Sequence, residues 1–246
     1  MIGAKFIQKF ADRYQTTLDN VVREYLQHLF LSSLYQEKGS ERLLFKGGTA
    51  LRLIWRSPRF SEDLDFTGYK ISIPEIESLV EEALLKMARE GIDSDIEESK
   101  KTSGGYLAIL HLKAESEYKS RIQIEVSLRS DSQSRSSTAL IHSDLLPPYP
   151  LVHLEESQLV REKILACLTR SKARDFYDLY FILRSRMSFH QVFAKNKELK
   201  EKILVAIRNQ RINFGGELKR FLPVNQHAVI RNFKENLLRE LERNLP

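Results

Sequence analysis

A short apolar run, Leu43-Leu44-Phe45-Lys46, stops at Gly47-Gly48, and from Thr49 to Trp55 apolar residues return at helical spacing. Shortly afterwards Asp63-Leu64-Asp65-Phe66-Thr67 alternates carboxylate and apolar side chains, the period-2 pattern of a half-buried strand. Strand, glycine turn, helix, loop and strand therefore follow one another within residues 43–67. Fourteen residues lie between Gly48 and Asp63, enough for one short helix and a turn, so the second strand is expected to return beside the first. That order requires a sheet and excludes an all-helical fold for this part of the chain.

The same order has a chemistry. Two glycines after a strand permit positive φ and close approach of the backbone to a ligand. The helix that follows turns free N–H groups and a positive dipole end toward whatever lies ahead of it, a position that suits phosphate. Thr49 adds a hydroxyl able to donate to a phosphate oxygen or to cap the helix. Asp63 and Asp65, two apart on a strand, project from one face while Leu64 and Phe66 go to the other. Neighbouring carboxylates repel unless a cation sits between them, and oxygen ligands completed by substrate phosphates describe a Mg²⁺ site. Alone, a Gly-Gly pair is most often a plain turn and an Asp-x-Asp pair a solvated strand face. Their succession here favours catalysis.

The rest of the chain divides in two. Residues 16–37 have helical periodicity (Leu18, Val21, Val22, Leu26, Leu29) with Thr17 or Asp19 as cap, and Pro74–Glu90 carries the stripe Ile76, Leu79, Val80, Ala83 and Leu84 behind a proline suited to a first helical turn. Three β-like segments follow, about 92–98, 105–115 and 120–129. In the last, Ile122, Ile124, Val126 and Leu128 face one way and Gln123, Glu125 and Ser127 the other. The Ser- and Asp-rich stretch 130–150, closing in Pro147-Pro148-Tyr149-Pro150, reads as a loop and linker. Beyond it 155–170, 173–186, 197–209 and 226–243 read as helices. The expected division is a mixed α/β domain over 1–147 and a helical domain over 148–246.

Composition sets outer limits. With 42% hydrophobic and 29% charged residues, the chain can build a core and is not expected to be disordered. Its 39 Lys+Arg against 33 Asp+Glu leave +6, a surplus that permits a polyanionic partner such as RNA or a nucleotide. Lys195–Lys202 with Arg208, Arg211, Lys219, Arg220 and Arg231 form either an RNA-facing surface or solvated helix faces. The single Cys167 rules out an internal disulfide framework and fits a reducing cytoplasm. No apolar run is long enough to predict a membrane span, and the first fifteen residues lack the pattern of a secretory signal. His111, His142 and His153 have no ligand spacing, which excludes a zinc signature.

The segment 45–66 resembles the Gly-[Gly/Ser]…Asp-x-Asp signature of DNA polymerase beta-like nucleotidyltransferases. More narrowly, Lys46-Gly47-Gly48-Thr49-Ala50-Leu51 with Arg59-x-Ser61-x-Asp63-x-Asp65-Phe66 is similar to the AbiEii/AbiGii group of bacterial toxins, which belong to toxin–antitoxin or phage-defence pairs. Glu162-Lys163, Arg170 and Ala173-Arg174-Asp175-Phe176-Tyr177-Asp178-Leu179-Tyr180 are similar to that group's later Glu-Lys and Arg-Asp-x-x-Asp-Leu motifs.

The resemblance implies an α+β fold: a polymerase beta-like nucleotidyltransferase domain with a mixed sheet and flanking helices, then an all-helical C-terminal domain. It implies transfer of a nucleotide from a nucleoside triphosphate, with Mg²⁺ (Mn²⁺ as the alternative), to an acceptor such as a tRNA 3′ end. A cognate antitoxin of winged-helix DNA-binding type is the expected partner. Lys46, Gly47, Gly48, Thr49 and Lys163 are then the nucleotide-binding residues, and Asp63 and Asp65 the metal ligands and chemical centre. Glu125 is the positional match for a third metal ligand, against an exposed strand glutamate. Asp175 is a catalytic base or an organiser of its neighbours, against a residue that caps its helix or pairs with Arg170, Lys172 or Arg174. Arg52, Arg56 and Arg59 either bind phosphate or line a solvated face. The competing readings are a non-catalytic nucleotide- or RNA-binding module and nucleotidylation of a protein or small molecule.

Overall fold

Leu64–Gly68 does return beside Leu43–Lys46, antiparallel, with Phe45 opposite Phe66 and Lys46 opposite Asp65. This pair lies inside a seven-stranded sheet of a computed structural model that describes residues 3–114, 118–128, 134–185, 187–188 and 197–244. The strands are β1 Leu43–Lys46, β2 Leu64–Gly68, β3 Ile92–Thr102, β4 Gly105–Ala114, β5 Tyr118–Ser127, β6 Ser136–Ile141 and β7 Tyr149–Leu154. Their order is β3-β4-β5-β2-β1-β7-β6. β1 runs parallel to β7 and β2 parallel to β5, and the other neighbours are antiparallel, so the sheet is mixed.

The chain forms two compact units, residues 1–56 with 60–154, and residues 57–59 with 155–246. In the first, the alternation of β5 is realised: Ile122, Ile124 and Val126 are buried, whereas Arg121 and Glu125 are exposed. The helices α1 Ala4–Tyr14, α2 Leu18–Leu34, α3 Gly47–Leu53 and α4 Ile73–Arg89 belong to this unit. α2 begins at Thr17, whose hydroxyl accepts from the Asn20 amide at 3.3 Å, so Thr17 rather than Asp19 is the cap. The α4 stripe Ile76, Leu79, Val80, Ala83 and Leu84 is buried as expected. Glu75 closes the start of that helix by accepting the Ser72 N–H at 2.8 Å. α2 also buries Asn20, Glu24, Gln27 and His28, a polar set that apolar periodicity does not foresee.

The second unit contains α5 Glu156–Thr169, α6 Ala173–Arg184 and further helices at Lys197–Arg208, Phe214–Leu218, His227–Arg231 and Phe233–Asn244. Its core is aromatic: Phe233 stacks on Tyr177 at 5.9 Å and meets Phe214 at 4.8 Å.

Three expectations need correction. The stretch 130–150 is not all loop, because β6 and the start of β7 lie in it. β6 is an exposed edge strand and so lacks an apolar alternation. β7 is specified by a distant partner, Phe45 opposite His153. Consequently the unit boundary falls after Leu154, not at 147/148. Finally, 226–243 is not one helix. Asn232 leaves the helical region at φ −122°, ψ 49°, and Phe233 enters the aromatic cluster. Lys195 of the basic stretch lies outside the described residues.

Candidate active site

In the sheet unit, the glycine turn and the acidic pair are in contact. Gly47 has φ +84°, the left-handed region in which a side chain is strained. A Cβ on Gly47 would fall 2.0 Å from Asp65 Oδ2, so the carboxylate occupies the room that glycine leaves. Asp63 lies immediately before β2 and Asp65 within it. Glu125 is the direct partner of Asp65 in the parallel β2–β5 ladder, which places both residues on one face of the sheet at a strand spacing of about 4.8 Å. Glu125 is exposed and its Oε1 accepts from Gln123 Nε2 at 2.5 Å. Lys46 stands opposite Asp65 on the other side, on β1.

The strand entry is held by buried polar side chains. Thr49 is fully buried, and its Oγ1 donates to the Asp63 carbonyl at 2.5 Å. The Gln27 amide, also buried, donates to the carbonyls of Ser61 at 3.2 Å and Glu62 at 3.1 Å. Three consecutive carbonyls ahead of the acidic pair are thus anchored from α2 and α3. For Thr49 this differs from the expected phosphate contact or helix cap: its hydroxyl is spent on the backbone just ahead of β2. α3 itself has seven residues, so its dipole is short.

Among the described residues no three His, Cys, Asp or Glu side chains converge on a common metal position. Glu125, the expected third metal ligand, therefore does not join Asp63 and Asp65 in such a group, and the donors that remain are the two aspartate carboxylates. This set fits Mg²⁺, which binds through one or two carboxylates and completes its shell with water and substrate phosphate.

Of the arginines around the turn, Arg52 is engaged. Arg52 pairs with Glu24 at 2.6 Å and lies over the Phe60 ring at 3.8 Å. A polar cleft of about 480 Å³ at the far end of α3 is lined by Glu24, His28, Arg52, Arg56, His142 and Asp144, among others. Neither the glycines nor Asp63 and Asp65 are among its lining residues.

The helical unit holds the later motif residues. Lys163 on α5 donates to Asp178 Oδ2 at 2.8 Å, and Arg59 grips both oxygens of Asp178, Nε to Oδ1 at 2.8 Å and Nη2 to Oδ2 at 3.0 Å. Burial acts to raise the Asp178 pKa, but Arg59 and then Lys163 outweigh it and hold this carboxyl below its ordinary value. Asp175 is buried as well. It accepts from Arg170 at 2.7 Å and from the Lys172 N–H at 3.2 Å, which are the capping and pairing contacts of a helix start. Among the two aspartates of that motif, Asp178 is the one joined to Lys163. Sequence reasoning gave it no role and left Arg59 in a general basic group. The available signal was that Arg59, Lys163 and Asp178 all belong to the quoted motifs.

The sequence profile of the nucleotidyl transferase AbiEii toxins of type IV toxin–antitoxin systems matches residues 29–243. The chain belongs to this family. As an AbiEii-family member it is a nucleotidyltransferase. No curated protein matches it significantly. Solved structures that share its fold include two at low sequence identity. MenT4, the nucleotidyltransferase toxin Rv2826c of Mycobacterium tuberculosis H37Rv, is 18% identical with a TM-score of 0.62, covering 99% of this chain and 93% of that one. JHP933 of Helicobacter pylori is 21% identical with a TM-score of 0.59, covering 92% of this chain and 90% of that one. In this AbiEii-family chain, no described helix is long and apolar enough to cross a membrane.

Proposed function

We propose that this AbiEii-type enzyme transfers a nucleoside monophosphate from a nucleoside triphosphate to the 3′-terminal hydroxyl of a tRNA, releasing pyrophosphate. The observation that carries the reading is the contact of Gly47 with the Asp65 carboxylate, with Glu125 directly opposite Asp65. The backbone N–H groups at the start of α3, at Gly47 and Gly48, would meet the phosphates, and Lys46, opposite Asp65, would add positive charge at the same place. Asp63 and Asp65 would hold Mg²⁺, or Mn²⁺ in its place, with Glu125 on the neighbouring strand. When bound, that ion supplies charge neutralisation of the triphosphate and activation of the acceptor oxygen. Gln27 and Thr49 keep the acidic pair aligned, so the chain's own part in the reaction is positioning and electrostatics, without a covalent protein nucleophile. Lys163 is the residue of the helical unit assigned to nucleotide phosphate.

In the cell this reading makes the protein the toxin of a phage-defence pair acting in the cytoplasm. It is balanced by an antitoxin that is a winged-helix DNA-binding protein.

The test is incubation with each α-labelled triphosphate, Mg²⁺ and total tRNA. Label should pass to RNase-sensitive material, and Asp65→Ala should abolish transfer while the protein stays folded by circular dichroism. Label in protease-sensitive material would instead assign a protein acceptor. Undiminished transfer by Asp65→Ala would refute the site.

A further inference from the structure

The cleft at the far end of α3 lies wholly within the first unit. Glu24 and His28 reach it from α2, Arg52 and Arg56 from the end of α3 and just beyond, and Ser143 and Asp144 from the segment after β6. Its two acids are already matched. Arg52 holds Glu24 side-on, Nε to Oε2 at 2.6 Å and Nη2 to Oε1 at 3.2 Å. Arg13 pairs with Asp144 Oδ2 at 3.0 Å, and the Tyr14 hydroxyl donates to the same oxygen at 3.0 Å.

The groups left over are donors. His28 is 3% exposed, and its Nδ1 lies 2.7 Å from the Tyr149 hydroxyl. That hydroxyl is buried too, and among the described residues His28 is its hydrogen-bond partner. It therefore donates to Nδ1, since the reverse arrangement would bury its proton without an acceptor. Burial keeps the ring neutral at pH 7, so the ring proton sits on Nε2. Among the described residues this Nε2–H has no acceptor, and His28 lines the cleft. Ser143 Oγ accepts from the Leu145 N–H at 3.1 Å, which leaves its own proton to be donated. Arg56 has φ +62°, a left-handed backbone that brings Cβ against the following carbonyl oxygen. Its guanidinium makes no hydrogen bond or ion pair among the described residues. Strain of this kind persists where the surrounding structure enforces it, and it clusters at ligand sites.

A strained arginine without an acid and a buried N–H without an acceptor thus open on one cleft, and its volume of about 480 Å³ suits a small polar molecule rather than a lone ion. We propose that this cleft binds a sugar phosphate, with the phosphate on Arg56 and an acceptor atom of the sugar or base on His28 Nε2–H, supplied as a free nucleotide or as one unit of an RNA strand. The site is separate from the glycine turn and the acidic pair, which do not line it, and it stands without the catalytic reading.

Titration calorimetry of the full chain in metal-free buffer tests the proposal, with adenosine 5′-monophosphate and, separately, hexauridylate lacking terminal phosphates as probes. Tighter binding of the monophosphate assigns the free nucleotide, and tighter binding of the RNA assigns the strand. For the tighter probe, Arg56→Asn should weaken binding about tenfold or more, the scale of a lost charge-assisted contact. Its melting temperature should equal or exceed that of wild type, because asparagine adopts positive φ more readily than arginine. In the wild type, the proton–nitrogen correlation signal of His28 Nε2–H should shift as the cleft fills. Lys46→Met should bind the probe as wild type does. A loss there as large as in Arg56→Asn would put the ligand at the glycine turn, overturning the second site while leaving the reading of that turn intact. Wild-type affinity in Arg56→Asn, an unmoved His28 signal at saturation, or no binding of either probe up to about 10 mM also overturns the proposal.

Discussion

Gly47 combines a positive φ with a Cα that the Asp65 carboxylate touches. Each feature by itself disfavours a side chain. Gly47→Ala must both strain the backbone, at about 1 kcal/mol, and drive Asp65 from its place. Displacement of a catalytic group by about 1 Å can cost around a hundredfold in rate. The expected result is a fall in kcat of about that size, with a melting temperature lowered by only a few degrees. Turnover and a thermal melt of the same preparation check both. Wild-type kcat in Gly47→Ala would remove the turn from the site. At this scale the sequence was informative where a residue's chemistry is tied to its neighbours: Gly47 and Asp65 are found together because local strand and turn geometry brings them so. It was uninformative for Thr49, whose hydroxyl turns to the Asp63 carbonyl through packing that spacing does not express.

β2 carries its acidic pair on a strand entry fastened by side chains from two helices, Gln27 on α2 and Thr49 on α3. Thr49→Val keeps the shape and removes the donor, a loss of about 0.5–1.5 kcal/mol. It should lower kcat about tenfold through misalignment of Asp63, whereas Thr49→Ser should behave like wild type. Steady-state kinetics on the pair separate the hydroxyl from the methyl group, and equal loss in both variants would contradict the fastening. Elements with strong local patterns, α4 and β5 above all, were legible from periodicity. β6 was not, since an exposed edge strand has no apolar alternation to show. β7 was hidden behind Pro147, Pro148 and Pro150, its place set by pairing with β1 and β6.

For the molecule as a whole, the two units differ in how acid should act on them. In the sheet unit His28 is buried, its Nδ1 2.7 Å from the Tyr149 hydroxyl. Burial first, and Arg52 with it, pull its pKa down to about 4 against the opposing effect of Glu24. Between about pH 6.5 and this value the unfolded chain binds the proton and the native one does not. The contribution is therefore complete above about pH 6.5 and is lost as pH falls toward 4, amounting to about 3 kcal/mol. In the helical unit Asp178 is held below its ordinary range, so its contribution stays intact until pH drops under about 4. Trp55, the single tryptophan, lies 5.3 Å from His153 in the sheet unit and reports on that unit. Its fluorescence melt should move down several degrees between pH 7 and pH 5, while amide protection in α6 changes little. His28→Gln should flatten the Trp55 response. Parallel losses in both units, or a His28→Gln melt as pH-dependent as wild type, would speak against the assignment.

Strand, turn and helix order, the return of the acidic strand beside the glycine turn, and the change from mixed to helical structure were determined by the sequence itself, because each depends on residues close together in the chain. The tertiary structure alone decided that Asp65 faces Glu125, that Asp178 rather than Asp175 joins Lys163, and that the first unit extends to Leu154. Each of these depends on partners far apart in sequence, whose meeting is selected by burial and hydrogen-bond satisfaction summed over the fold, a quantity that no local pattern carries.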